Sequence, residues 1–315
     1  MPREAPVVNR TEPRESPRLI ATFRRTRSVA VQWVVVSAVG FFGFAYLFGH
    51  VRAAILDTSL EPIIVPVFAP PDALPWLVAS VGLVALIVVP HELLHGVFMA
   101  RYGGDVGYGV DAAYFVLPYA YAKTDGTSYT RNQLLVALLA PFVGITAVGL
   151  AAMIVHPSSL VIVPLAANAA GSIGDLWMAG VLLQYPADVR VGPLPDGDAQ
   201  GFGIYGSSST PAEGGRRPGM RFLSRLVVGA VGTLALLATA LVATVFVSLA
   251  VGSGTVVIGE PGSRWFLFRH ELASGAGAVL LEFGTTTGLA AAAAGGLAWA
   301  GTRECYRALV LDRSD

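Results

Sequence analysis

Read by hydrophobic and polar positions, the chain alternates long uncharged apolar runs with short polar segments that hold most of its arginines. A hydrocarbon core about 30 Å thick is crossed by roughly 20 apolar residues in a helix. Six runs meet that length. The first spans Ser28 to Gly49 without a charged side chain. The second, Ala73 to Pro90, runs into a polar cluster at His91. The third covers Gln133 to Val155 and the fourth Leu160 to Leu183. A fifth begins at Arg225 and ends near Gly252, and a sixth covers Ala276 to Ala300, with Glu282 in its first turns. The pattern predicts an all-α polytopic membrane protein of about six transmembrane helices.

Composition agrees. Hydrophobic residues make up 54% of the 315 positions and charged residues 13%, against roughly 25% charge in a soluble domain. Whole-chain disorder is excluded, because disordered chains are poor in apolar residues. A single cysteine, Cys305, excludes a disulfide scaffold. Net charge is zero, so composition offers no argument for a nucleic-acid partner.

Positive charge sets the expected orientation, since Lys and Arg resist translocation. With both termini cytoplasmic, 18 of the 21 Lys and Arg fall inside, leaving only Arg52, Arg264 and Arg269 outside. The expectation is a multi-pass protein of the cell membrane. Its N-terminal arm reads as part of a signal anchor rather than a cleavable signal peptide. Five parts follow: a flexible cytoplasmic arm (1–27), a four-helix membrane core (28–185), a flexible Pro/Gly/Ser/Arg-rich linker (186–224), a C-terminal helix pair (225–302) and a cytoplasmic tail (303–315). The loop after the second helix differs from the other polar segments. Tyr108 to Tyr129 holds five tyrosines and Phe115 among small residues, a composition suited to a small β-hairpin at the membrane interface. It reads equally as an aromatic belt or as a sheet edge able to hold a peptide by strand addition.

The candidate chemistry lies in Pro90-His91-Glu92-Leu93-Leu94-His95-Gly96. Four residues apart, His91 and His95 project from one helix face. Two imidazole nitrogens at that spacing reach one Zn²⁺ at about 2.0–2.1 Å. Glu92 stands beside them as candidate general base, which completes the H-E-x-x-H pattern of zinc proteases. An ionisable side chain within a span costs at least about 2.5–3.5 kcal/mol unless paired or hydrated. Three adjacent ones therefore call for a partner, and a metal supplies it.

A catalytic zinc needs a third protein ligand and an open fourth position. Asp175 is the best candidate. Asn168, Ser172 and Asp175 fall at i, i+4 and i+7, a polar stripe on an otherwise apolar fourth helix. Asn168 and Ser172 are candidate substrate-binding groups or helix-joining ones. Other groups fit less well: His156, His270 and Glu271 belong to the outer side, Asp105, Asp111, Asp125 and Asp188 lie in loops, and Glu282 falls toward the outer half of the last helix.

The HELLHG run, the Tyr-rich loop, the Ala140-Pro141 helix and the N-x-x-x-S-x-G-D segment together resemble a family of membrane-embedded zincin peptidases. More distantly they are similar to site-2 proteases, the intramembrane metalloproteases. The resemblance covers about residues 75–185. It implies His91, His95 and Asp175 as zinc ligands and Glu92 as general base. It also implies a zinc-dependent intramembrane or juxtamembrane endopeptidase acting on membrane-protein or peptide substrates within the lipid bilayer. The residues alone leave a rival open: a non-enzymatic transporter or metal-binding structural protein that uses the His/Glu/Asp cluster as an ion or proton path.

Overall fold

A computed structural model describes residues 17–58, 60, 63–66, 70–113, 117–124, 126–195, 201–206, 218–273 and 278–311. Strand β1 (Arg18–Arg24) leads into α1 (Arg27–Ile55), whose first turn is capped by the Thr26 hydroxyl. Strand β2 (Ile63–Pro66) precedes α2 (Pro70–Arg101), and β3 (Val106–Ala113) and β4 (Leu117–Thr124) follow as an antiparallel pair. Next come β5 (Tyr129–Thr130) and α3 (Arg131–Val155), which Thr130 and Gln133 start with a reciprocal capping box. Helices α4 (Ile162–Gly171) and α5 (Ile173–Leu182) are separated by Ser172. Strands β6 (Arg190–Gly192) and β7 (Gly201–Gly206) precede α6 (Pro218–Ala250). The chain closes with β8 (Thr255–Ile258), β9 (Phe268–Ala273), β10 (Ala278–Phe283) and α7 (Thr285–Leu311).

Among the described residues, five helical stretches are long and apolar enough to cross a membrane: Arg27–Ile55, Val81–Arg101, Arg131–Val155, Ser159–Leu182 and Phe222–Ala250. Large apolar side chains on them face outward, with Phe42 71%, Val148 71% and Leu236 75% exposed. Such a surface is stable against hydrocarbon rather than water. Helix α7 is long enough but less apolar, being rich in Ala, Gly and Thr and carrying Arg303, Glu304 and Arg307 in its last third.

The sequence pattern differs from the structure in four places. The fold is not all-α: besides the β3–β4 pair, it contains two four-stranded sheets, ordered β1-β7-β6-β5 and β2-β10-β9-β8. Second, α2 does not stop at Pro90. Apolar Leu93, Leu94, Val97 and Phe98 continue the run, so the helix carries the motif well inside its length. Third, Ala278–Phe283 is a strand rather than the opening of the sixth helix; Glu282 is exposed on it, and the helix begins at Thr285. Fourth, the described parts of segments 1–27 and 186–224 include β1, β6 and β7, joined to one another by backbone pairing. Residues 1–16, 196–200 and 207–217 of those segments lie outside the described residues, as do residues 114–116 and 125 of the Tyr-rich loop.

Two apolar clusters fix the bundle. Phe48 of α1, Met153 of α3 and Leu165, Ala166 and Ala169 of α4 form one. The other joins Leu134 and Leu138 of α3, Ala179 and Leu182 of α5 and Val189 just before β6 to Tyr129, Val191, Phe202 and Ile204 of the β1-β7-β6-β5 sheet. Phe23 of β1 stacks on Phe202 at 5.2 Å. This sheet therefore closes the end of the bundle where α1 and α3 begin. At the opposite end Tyr46 of α1 donates a hydrogen bond to the Phe283 carbonyl at 2.7 Å, tying the second sheet to the bundle.

Candidate metal centre

Helix α2 presents His91 and His95 one turn apart, on the side that packs against α3 and α4, and the chain after the Ser172 break presents Asp175 to the same point. All three are buried. Asp175 Oδ2 lies 3.3 Å from His91 Nε2 and 3.4 Å from His95 Nε2. The ligand atoms of the three residues fall within 4.8 Å of one another, and among the described residues this is the one such group able to hold a metal ion.

The second nitrogen of each imidazole is occupied. His95 Nδ1 lies 2.8 Å from the Ala137 carbonyl, which can only accept, so His95 is the donor there. His91 Nδ1 lies 3.0 Å from Asn168 Oδ1. Both rings thus direct Nε2 inward with Nδ1–H pointing away, the arrangement by which metal-ligating histidines are held. With neutral rings, two Nε2 lone pairs and a carboxylate oxygen converge with no donor among them. A divalent cation would satisfy three acceptors so placed. Ligands at 2.0–2.1 Å from a tetrahedral zinc stand about 3.3–3.4 Å apart, which matches the two observed His–Asp distances. The donor set and its spacing fit Zn²⁺, with His91, His95 and Asp175 as the residues that would hold it.

Asn168 and Ser172 sit behind the cluster rather than in front of it. Both are fully buried. Asn168 is engaged with His91, and the Ser172 hydroxyl donates back to the Asn168 carbonyl at 2.9 Å. Their polar groups serve the histidine and the helix. Glu92 is the half-buried neighbour of His91, and its carboxylate accepts the backbone N–H of Ala122 on β4. Gly96 completes the local packing: a Cβ there would strike the Tyr108 ring of β3, so the glycine lets the strand pair lie against α2.

The competing groups are elsewhere. His156 is exposed at the end of α3, His270 and Glu271 lie on β9, and Asp105 and Asp188 are exposed in loops. Asp111 lies on β3, and Asp125 is outside the described residues. Sequence reading missed the Ala137 carbonyl and the Ala122 N–H, which are backbone groups without a side-chain signature. It also missed the Tyr108 contact, for which the glycine directly after the second histidine is the available signal.

Apolar helices of membrane-spanning length enclosing a buried His₂Asp cluster, with a carboxylate beside it, define a membrane-type helical bundle built around a potential metal-binding group. Residues 84–190, about a third of the chain, match the model of a family described as "Putative zincin peptidase". The matched stretch contains His91, Glu92, His95, Asn168, Ser172 and Asp175, and the family description implies zinc and metallopeptidase chemistry. No curated protein and no solved structure matches the chain. The similarity to site-2 proteases thus rests on the residues alone.

Proposed function

We propose that this chain is a zinc-dependent endopeptidase that hydrolyses peptide bonds of membrane-protein segments within or beside the bilayer. One observation carries the reading: two Nε2 atoms and a carboxylate oxygen converge at one buried point with Glu92 next to them. Zinc bound there would supply Lewis acidity, polarising the scissile carbonyl and making water more acidic. Glu92 takes the proton as water adds to the carbonyl carbon. It then delivers that proton to the amide nitrogen as the C–N bond breaks. His91 and His95 hold their inward nitrogens fixed throughout, because each Nδ1–H is committed elsewhere.

Placement in the membrane is part of the proposal. With α7 as a sixth span, both termini are cytoplasmic and the arginine-rich segments stay inside. His91 then lies ten residues from Arg101, about 15 Å along α2 from its cytoplasmic end. Water reaches the cluster from that side. Ala122 of β4 lies at the Glu92 carboxylate, so an edge of β4 borders the site. A substrate chain added along that edge would present its carbonyls to the cluster.

The test uses detergent-purified full-length protein. It should hold about one zinc per chain and cleave a fluorogenic peptide that carries the sequence of a transmembrane segment. Glu92→Gln should retain the metal and lose about 10²–10⁴-fold in turnover. Undiminished cleavage by that variant would overturn the mechanism, and absence of zinc from the wild-type chain would overturn the metal reading.

A further inference from the structure

We propose that Pro141 is the positioning residue for both imidazoles of the cluster. The argument starts from what proline lacks. In α3 the carbonyl of Ala137 would ordinarily accept the N–H of residue 141, four positions on. Proline has no N–H, so the Ala137 carbonyl is left without its helical partner in the packed interior, where both residues are buried. His95 Nδ1 takes that vacancy at 2.8 Å. An alanine at 141 would bring a helical N–H to the same oxygen, which His95 would then have to share.

The same proline controls His91 through its own carbonyl. Asn168 Nδ2 donates to Pro141 O at 3.3 Å. A carbonyl only accepts, so this bond fixes which end of the Asn168 amide is the NH₂. It therefore turns Oδ1 toward His91 Nδ1, at 3.0 Å. Facing an acceptor, His91 must carry its proton on Nδ1, and its Nε2 is the nitrogen aimed at Asp175. One helical turn of α3 thus exposes two carbonyls, at 137 and 141. One orients His95 directly and the other orients His91 through an amide. Both rings are fixed in the same tautomer before any metal arrives.

This assignment rests on the metal reading above but not on peptidase chemistry, and its test needs no turnover. Full-length wild type, Pro141→Ala and Asn168→Leu are compared in detergent by three measurements. These are zinc affinity by chelator competition, melting of the metal-free protein, and ¹⁵N resonances of metal-free histidine-labelled protein. Pro141→Ala should weaken zinc binding about 10–100-fold, the range for loss of an outer partner of a metal ligand. The metal-free protein should melt no lower than wild type, because α3 regains a helical hydrogen bond. Affinity and fold stability then move apart, which a merely structural proline cannot produce. In the labelled protein the His95 signals should shift from a fixed Nδ1–H form toward tautomer averaging, and Asn168→Leu should do the same to His91 alone. Unchanged affinity in Pro141→Ala, or a loss of affinity in step with a fall in melting temperature, overturns the proposal. If wild type binds no zinc, the metal reading fails; the tautomer signals then still decide for or against Pro141.

Discussion

Two helical regions of the molecule are held together in opposite ways. In the α2–α5 core, contact between helices includes a buried network of His91, His95, Asn168, Ser172 and Asp175. The α6/α7 pair uses small residues. A Cβ on Gly229 would meet Gly295 O at 2.9 Å, and one on Gly296 would meet Leu226 O at 2.7 Å, so the two antiparallel backbones nearly touch. Its cross-helix ion pair, Arg225 with Glu304, stands at the end of the pair and is partly exposed. Close backbone packing is enough to join helices in lipid. The polar network of the core is therefore not needed for association. Each ionisable group within a span costs at least about 2.5–3.5 kcal/mol, and the core concentrates three of them at one point.

The largest expected effect separates the two regions at Asp175. Asp175→Ala removes the oxygen that both Nε2 atoms face. Zinc affinity should fall by more than about 100-fold, beyond the range for outer partners of metal ligands. The metal-free protein should remain folded, since removing a buried carboxylate relieves desolvation. Chelator competition and thermal melting check both halves. Zinc binding that survives unchanged would mean that the cluster is as structural as the α6/α7 contact.

The next effect has the opposite pattern. A Cβ at Gly295 would strike the Thr233 side chain, so Gly295→Val forces α6 and α7 apart. Overpacking of this kind costs about 1–3 kcal/mol, read as a lower melting temperature in detergent. Zinc affinity should not change, because among the helices α7 packs mainly on α6, away from the cluster. A fall in zinc affinity in this variant would show that the pair supports the metal centre and would erase the distinction between the regions.

What the sequence revealed follows the same division. The apolar runs located the helices because period and length are local properties. The H-E-x-x-H spacing located the histidine pair, since helical spacing alone puts those side chains on one face; Asn168, Ser172 and Asp175 read as a stripe on one helix, whereas Ser172 divides α4 from α5 there. The end of the second span was misplaced: the run was read as stopping at Pro90, yet Leu93, Leu94, Val97 and Phe98 carry α2 to Arg101. The sheets were hidden for another reason. Strand β1 is made by pairing with β7, where Phe23 opposes Phe202 from the far side of five helices. Nothing within either segment announces a partner so distant. The alternation of Phe202 and Ile204, both buried, is the one local trace, and it lies in a glycine-rich stretch that reads as linker. The donors and acceptors around the cluster were hidden again differently, because Ala122 and Ala137 act through backbone atoms that any residue type possesses.

The smallest expected effect tests the exposed end of the α6/α7 pair. Arg225 and Glu304 pair with 27% and 38% of their side-chain surface exposed. Solvent screens such a pair, and ordering two long side chains offsets part of the attraction, so exposed pairs contribute about 0–1 kcal/mol. Glu304→Gln removes the charge while leaving Arg225 in place. Its melting temperature should lie within a few degrees of wild type, and added salt should narrow the gap further by screening the wild-type pair. A large, salt-insensitive drop would place this pair in a low-dielectric setting. The α6/α7 contact would then depend on a buried polar interaction, as the metal-centre region does, and small-residue packing would no longer account for it.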